Sequence, residues 1–132
     1  MGRIIARVTI GNASDPSATI ACDALVDTGA SGLVLPASWK GRLGSLQTVR
    51  VEELETADQR TVQGEVCGPV RVQIEGFPPV LTEVTFLDLQ PVNGGHEPLL
   101  GYIVLEQSRA AVDMVSHRLV KGRAADLKRA AA

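Results

Sequence analysis

A single aspartate stands between two apolar segments in the stretch ALVDTGASGLVLP, residues 24–36. The apolar residues on either side are typical of buried strands, and Asp27 opens the polar turn between them. A carboxylate among such neighbours is costly unless its charge is shared, hydrogen-bonded or neutralised. The pattern therefore indicates either that the turn reaches water or that the protein uses the carboxylate chemically.

The tripeptide Asp27-Thr28-Gly29 is weak evidence of function when taken alone. Asp-Thr-Gly also occurs in ordinary hairpin and capping turns, so a structural role is the better interpretation of the bare tripeptide. We expect Gly29 to take a backbone conformation that other residues avoid, because the turn at the strand end is tight. The flanking sequence decides between the two interpretations.

Strands predominate in the rest of the chain. Apolar residues alternate with polar ones at residues 4–10 and 70–75, and residues 81–89 add a further strand. Turn signals separate the strands at residues 11–17, 76–79 and 93–95. Such short spacings favour an antiparallel meander or barrel over crossover units.

The C-terminal part of the chain is mixed. Residues 102–112 have an imperfect apolar stripe at helical spacing and predict one short helix. Residues 113–120 predict a turn and a final strand. Because 132 residues are too few for two independent cores, we expect one domain over residues 1–120, followed by a polar and Ala-rich tail at residues 121–132.

The overall composition is that of an ordinary globular protein. Hydrophobic residues make up 45% of the chain, charged residues 21%, and the net charge is −2. Nothing in this balance attracts nucleic acid or a membrane surface. The sequence has neither a signal peptide nor a window as long as a membrane span, so the expected compartment is the cytoplasm.

The cysteines and histidines do not form a metal-binding pattern. Cys22 and Cys67 are 45 positions apart and have no Cys or His neighbour at ligand spacing. They are interpreted as two small buried hydrophobes, and a bridge between them is left open. His96 and His117 lie in segments that we expect to be exposed. No metal and no cofactor are predicted.

With its flanks, the stretch at residues 24–36 resembles the active-site segment of retroviral-type (retropepsin-like) aspartic proteases. Two further segments fit. Leu99-Leu100-Gly101, 72 positions after Gly29, is similar to the paired-hydrophobic-plus-glycine motif that crosses behind the active-site loop in that family. Residues 55–66, ETADQRTVQGEV, resemble the family's flap hairpin. The resemblance runs from about residue 4 to residue 120 and is closest to the small single-lobed bacterial members.

The resemblance implies an all-β fold, a closed β-barrel with a flap hairpin and one short C-terminal helix. It also implies peptide-bond hydrolysis by a water activated between two carboxylates, one ionised and one protonated. Asp27 alone is followed by Thr-Gly, and the chain is too short for a second lobe. The second carboxylate must therefore come from a second chain, which predicts a homodimer with one Asp27 per subunit. Asp23, the nearest other acid, is interpreted as a solvated strand charge.

The family pattern gives roles to the residues around Asp27. By this resemblance, Thr28 hydrogen-bonds across the two-fold axis to the partner's turn, and Gly29 lies where the substrate main chain approaches. Ala30 and Ser31 line the wall beside it. The turn is supported by Leu99, Leu100 and Gly101. The flap that covers the substrate has at its tip Ala57, Asp58, Gln59 and Arg60.

The flap tip departs from the family pattern, because relatives commonly carry Ala-Asp-Gly-Arg where this chain has Ala-Asp-Gln-Arg. Gln59 tolerates positive φ poorly, so we expect a different turn type or a stiffer tip.

The alternative function is a non-proteolytic retropepsin-like module for dimerisation or peptide binding. The intact Asp-Thr-Gly-Ala-Ser favours the enzyme, since a binding module has little reason to retain a carboxylate pair that costs stability.

Overall fold

The computed structural model describes residues 3–55, 59–88 and 97–122, and these form nine strands and two short helices. The strands are β1 (Ile5–Asn12), β2 (Asp15–Val26), β3 (Leu33–Pro36), β4 (Gln47–Glu55), β5 (Thr61–Ile74), β6 (Val80–Leu87), β7 (Leu99–Leu100), β8 (Ala110–Asp113) and β9 (Arg118–Lys121). A 3₁₀ helix covers Ala37–Leu43, and the α-helix α1 covers Tyr102–Gln107.

Alternation of apolar and polar residues explains why these segments are strands with one buried face. In β5, Val70, Val72 and Ile74 are buried, whereas Arg71 and Gln73 are exposed. Each such side chain stabilises the fold by roughly 1.5–3 kcal/mol when fully buried. The predicted strand at residues 70–75 is therefore confirmed, with β5 ending at Ile74.

Seven strands form one sheet in the order β1-β2-β7-β3-β6-β5-β4, and β1 also pairs with β5. Most neighbouring strands are antiparallel, as the short turns predict, but β2–β7 and β3–β6 are parallel. The parallel pairs arise because β7 returns from far along the sequence to lie between β2 and β3. The turn after β2 consequently spans the end of β7, and this brings residues 27–32 beside residues 99–101.

Both cysteines lie in the hydrophobic core of this sheet. Cys22 is 9% exposed and Cys67 is fully buried, and both are free thiols. Their interpretation as small buried hydrophobes is confirmed, and the bridge that the sequence left open is not formed. Burial raises the pKa of the Cys22 thiol, because desolvation disfavours its thiolate.

The predicted helix at residues 102–112 is too long. α1 ends at Gln107, Arg109 adopts a left-handed φ of 57°, and β8 begins at Ala110. Pairing of β8 with β9 satisfies the backbone after Arg109, and it outweighs the weak helical pattern there. The final strand predicted within residues 113–120 is confirmed as β9, whereas the 3₁₀ helix was not predicted.

Several features named from the sequence lie outside the described residues, among them the turn at residues 93–95, His96 and residues 123–132. None of the helices in the described ranges has the length and apolarity that a membrane crossing requires.

Candidate active site

Asp27 directly follows β2 and begins a tight turn. Its backbone amide donates a hydrogen bond to the Leu100 carbonyl oxygen at 3.0 Å, and its own carbonyl oxygen accepts one from the Ala30 amide at 3.1 Å. The second bond joins residues i and i+3, as in a β-turn. The Asp27 side chain is half-buried, while Thr28 and Gly29 are exposed. The turn predicted at this strand end is thus present.

The Asp27 carboxylate is oriented by the turn itself. Its Oδ1 accepts a hydrogen bond from the Gly29 amide at 2.9 Å. The expectation that Gly29 takes an unusual backbone conformation is wrong, because its φ is not in the left-handed region. A Cβ at Gly29 would instead lie 3.2 Å from Asp27 Oδ1. Glycine is useful here for space beside the carboxylate rather than for conformational freedom.

Backbone hydrogen bonds from the start of α1 hold residues 30–32, the second half of the turn. The backbone amides of Gly101, Tyr102 and Ile103 donate to the carbonyl oxygens of Gly32, Ala30 and Ser31, respectively, at 3.0, 3.0 and 2.9 Å. Each of these carbonyls therefore has a hydrogen-bond partner although it lies outside a strand. Together with the Asp27–Leu100 bond, these bonds fix residue 27 and residues 30–32 of the turn.

Gly101 lies so close to this turn that no side chain fits. A Cβ there would be 2.5 Å from the Gly32 carbonyl oxygen, 2.6 Å from the Ser31 carbonyl carbon and 2.7 Å from the Ala30 carbonyl oxygen. These are backbone atoms, which cannot move aside as a flexible side chain can. The close approach explains the glycine in the Leu-Leu-Gly motif.

Strand β7 lies between the two apolar segments that flank Asp27 and pairs with both. Leu99 and Leu100 pair in parallel with Leu25 and Val26 of β2, and in antiparallel fashion with β3. Leu100 is fully buried, whereas Leu99 is half-buried. Backbone hydrogen bonds therefore join Leu100 and Gly101 of the motif to residues 27–32, while Leu99 pairs with the strands on either side of the turn.

Strands β4 and β5 form a long antiparallel hairpin that reaches Glu55 paired with Thr61. Gln59 is exposed and adopts a φ of 65°, so the left-handed conformation that glutamine was expected to avoid is present at this position. Arg60 is also exposed. Ala57 and Asp58, the other predicted tip residues, lie outside the described residues.

The remaining candidate residues lie away from this turn. Asp23 is exposed and forms an ion pair with Arg7 at 3.4 Å, as expected of a solvated strand charge. His117 is exposed, with a φ of 54°, between β8 and β9. In the described parts of the chain, no group of three His, Cys, Asp or Glu side chains is arranged to hold a metal ion.

A cleft of about 760 Å³ beside the turn was missed from the sequence. We call it the flanking cleft; among its lining residues are Ser31, Gly32, Arg50, Glu52, Glu83 and Ile103. The alternation in β4 shows which residues share a face, but only the fold brings that face opposite the turn. The site therefore consists of one oriented, half-buried carboxylate with an open cleft next to it.

Comparison with known proteins supports the fold. No protein-family model and no curated protein sequence matches this chain. Among solved structures, it is similar to EIAV protease complexed with the inhibitor HBY-793, with a TM-score of 0.59 and 20% sequence identity. The match covers 80% of this chain and 88% of that one. The chain thus has a mostly β, retropepsin-like fold.

Proposed function

We propose that the protein is a homodimeric aspartic endopeptidase, in which Asp27 of two subunits activates a water molecule to hydrolyse a peptide bond. The observation that carries this proposal is the half-buried Asp27 on a turn that residues 100–103 hold by four backbone hydrogen bonds. The retropepsin-like fold, seen at 20% identity to EIAV protease, supports the class of enzyme. A closed barrel is part of the proposal, and the additional β1–β5 pairing supports it.

The second carboxylate comes from a second copy of the chain. The other described aspartates are engaged elsewhere or lie at the surface. Asp15 accepts hydrogen bonds from Ser17, Asp23 pairs with Arg7, and Asp113 accepts from the amides of the turn that follows it. A symmetric dimer that places the two turns face to face supplies the pair from Asp27 alone.

An exposed aromatic side chain next to the turn favours such a dimer. Tyr102 is 43% exposed, although it directly follows the tightly packed Gly101. A second subunit would remove apolar surface of this kind from water, which stabilises the association. In this proposal Thr28, which is exposed on the turn, hydrogen-bonds to the partner's turn.

The reaction follows from two carboxylates that cannot both be ionised at close range without cost. The ionised carboxylate takes a proton from water, whose oxygen attacks the peptide carbonyl carbon. The protonated carboxylate donates a hydrogen bond to the carbonyl oxygen. As the C–N bond breaks, the leaving nitrogen takes the proton that the first carboxylate received from water. That carboxylate is then ionised again, the other is still protonated, and no covalent intermediate forms.

In this proposal the substrate lies between the turn and the hairpin of β4 and β5. Gly29 admits the substrate main chain, and Ala30 and Ser31 form the wall beside it. The hairpin tip, with Gln59 and Arg60, covers the substrate as a flap. A cytoplasmic location belongs to the same proposal and rests on the sequence.

The test is digestion of a diverse peptide library by the wild-type protein and by Asp27→Asn, with products identified by mass spectrometry. We expect cleavage by the wild type and none by Asp27→Asn, which retains the size of the side chain and its bond from Gly29. Asp23→Asn makes the same chemical change at an exposed position, and this variant should cleave normally. Peptide binding without cleavage by the wild type would indicate the non-proteolytic module instead.

A further inference from the structure

The flanking cleft opens directly beside the turn that carries Asp27. Ser31 and Gly32 contribute to one wall, and Ile103 and Gln107 of α1 continue it. Its volume of about 760 Å³ lies within the range of roughly 300–1,000 Å³ that ligand sites occupy. A substrate chain that crosses the Asp27 turn would therefore pass this cleft.

The opposite wall comes from β4 and β6. Side chains alternate along a strand, so Arg50 and Glu52 share the face toward the cleft. Val51, between them, lines a different cavity with Lys40 on the other face of the sheet. Glu53 belongs to that second face by the same alternation. Two neighbouring glutamates of one strand thus differ in whether they reach the cleft.

The charges of the flanking cleft do not cancel. Within the part of the chain that the structure describes, its charged lining residues are Arg50, Glu52 and Glu83. The Arg50 guanidinium donates to Glu52 at 2.6 Å and to both carboxylate oxygens of Glu83 at 3.2 and 2.9 Å. One cation against two carboxylates leaves a net charge of −1 inside the cleft.

The cleft also has apolar surface. Val49 and Leu81 are 51% and 57% exposed, and Ile103 faces the same space. Val49 lies at the register shift between Thr48 and Arg50, so the alternation that separates Arg50 from Val51 does not extend to it. A lysine or arginine side chain combines an apolar stem with a cationic head, and such side chains pack the stem on apolar surface while the head reaches polar groups. An anionic side chain would have to displace carboxylates that already occupy the Arg50 guanidinium.

We propose that the flanking cleft is a specificity pocket that receives a lysine or arginine side chain of the peptide substrate, with Glu52 and Glu83 as the residues that select it. This inference rests on the proposed endopeptidase function. The stem packs on Val49, Leu81 and Ile103, and the cationic head bonds to the carboxylate oxygens.

The test uses peptides cleaved by the wild type that differ at one position near the scissile bond, which carries Lys, Gln or Glu. For one such position we expect kcat/KM to be roughly fivefold higher for Lys than for Gln, the size expected of partly exposed ion pairs, and lowest for Glu. Glu52→Gln and Glu83→Gln should each reduce the ratio of Lys to Gln toward one. Glu53→Gln, an equal charge change on the opposite face, should leave the ratio unchanged.

Two results would overturn the inference and leave the endopeptidase intact: cleavage with no preference for Lys at any position, or a preference that Glu52→Gln and Glu83→Gln do not alter. If the wild type cleaves no peptide, the proposed function fails. Binding of the Lys and Gln peptides to the same proteins then decides the inference. A Lys preference that Glu52→Gln reduces and Glu53→Gln does not supports the pocket, and equal binding contradicts it.

Discussion

The backbone amide of Asp27 bonds to the carbonyl oxygen of Leu100 at 3.0 Å, although 73 positions separate the two residues in the sequence. Leu100 is fully buried, so this bond fixes the candidate catalytic turn to the hydrophobic core. The position of the Asp27 carboxylate therefore depends on how well β7 is packed between β2 and β3.

Leu100→Ala tests that dependence against its neighbour. Removal of the buried Leu100 side chain should cost about 2–5 kcal/mol in the free energy of unfolding, because it leaves a cavity in the core. Leu99→Ala should cost clearly less, since Leu99 is only half-buried. Urea unfolding at one fixed protein concentration measures both variants. Equal losses would show that β7 is not held through Leu100.

Gly101→Ala should displace the turn that carries Asp27. Its Cβ would meet the Gly32 carbonyl oxygen at 2.5 Å, so we expect a loss of about 1–3 kcal/mol in stability, as for other overpacked sites. The proposed proteolytic activity should fall at least tenfold, because the hydrogen bonds to residues 30–32 are broken or strained. Thermal unfolding and peptide cleavage measure the two effects.

Gly41→Ala is the matched control for this substitution. Gly41 lies in the 3₁₀ helix, its φ is not left-handed, and a Cβ there would have no atom within 4 Å. Its stability should stay within about 0.5 kcal/mol of the wild type. If Gly101→Ala were as stable as Gly41→Ala, the finding that Gly101 has no room for a side chain beside the turn would be contradicted.

Glu65 predicts a pH dependence of stability. A hydrogen bond from Lys40 at 2.6 Å, and then one from Thr48 at 2.6 Å, lower the pKa of the Glu65 carboxyl below its usual value of 4.5. Because the folded-state pKa is the lower one, this stabilisation is present above about pH 4.5 and is lost as the pH falls through the folded-state value.

Glu65→Gln should therefore be less stable than the wild type at neutral pH, and the difference in melting temperature should shrink as the pH falls below about 4.5. Glu53→Gln serves as the control. Glu53 lies opposite Gln63 in the same pair of strands, so the substitution makes the same charge change on the same hairpin. A difference between wild type and Glu65→Gln that stays constant from neutral to strongly acidic pH would contradict the Lys40–Glu65 contribution.

Local sequence patterns predict much of this fold. Period-two alternation identifies β1 and β5, since both strands bury one face and leave the other in water. The contact between the Leu-Leu-Gly motif and the Asp-Thr-Gly turn follows from a family resemblance, because no local rule relates segments so far apart. The same limit explains why the parallel pairs β2–β7 and β3–β6 were not predicted.

The errors have local physical causes. The helix after Gly101 ends early because Arg109 turns left-handed and the next residues pair with β9, a choice made by tertiary contacts. Gly29 has an ordinary φ, and the glycine is explained by the nearby carboxylate oxygen, which a turn pattern does not reveal. The flanking cleft needs Arg50 and Glu83, on separate strands, to be brought together by folding.

The shared active site is the central claim, and a subunit-mixing experiment tests it most directly. Wild-type protein is mixed with increasing amounts of Asp27→Asn, exchange is verified by mass spectrometry of mixed dimers, and peptide cleavage is measured per wild-type chain. Dimers with two Asp27 residues decline as the square of the wild-type fraction, so activity per wild-type chain should fall in proportion to that fraction. Activity per wild-type chain that stays constant after verified exchange would contradict a site built from Asp27 of two subunits.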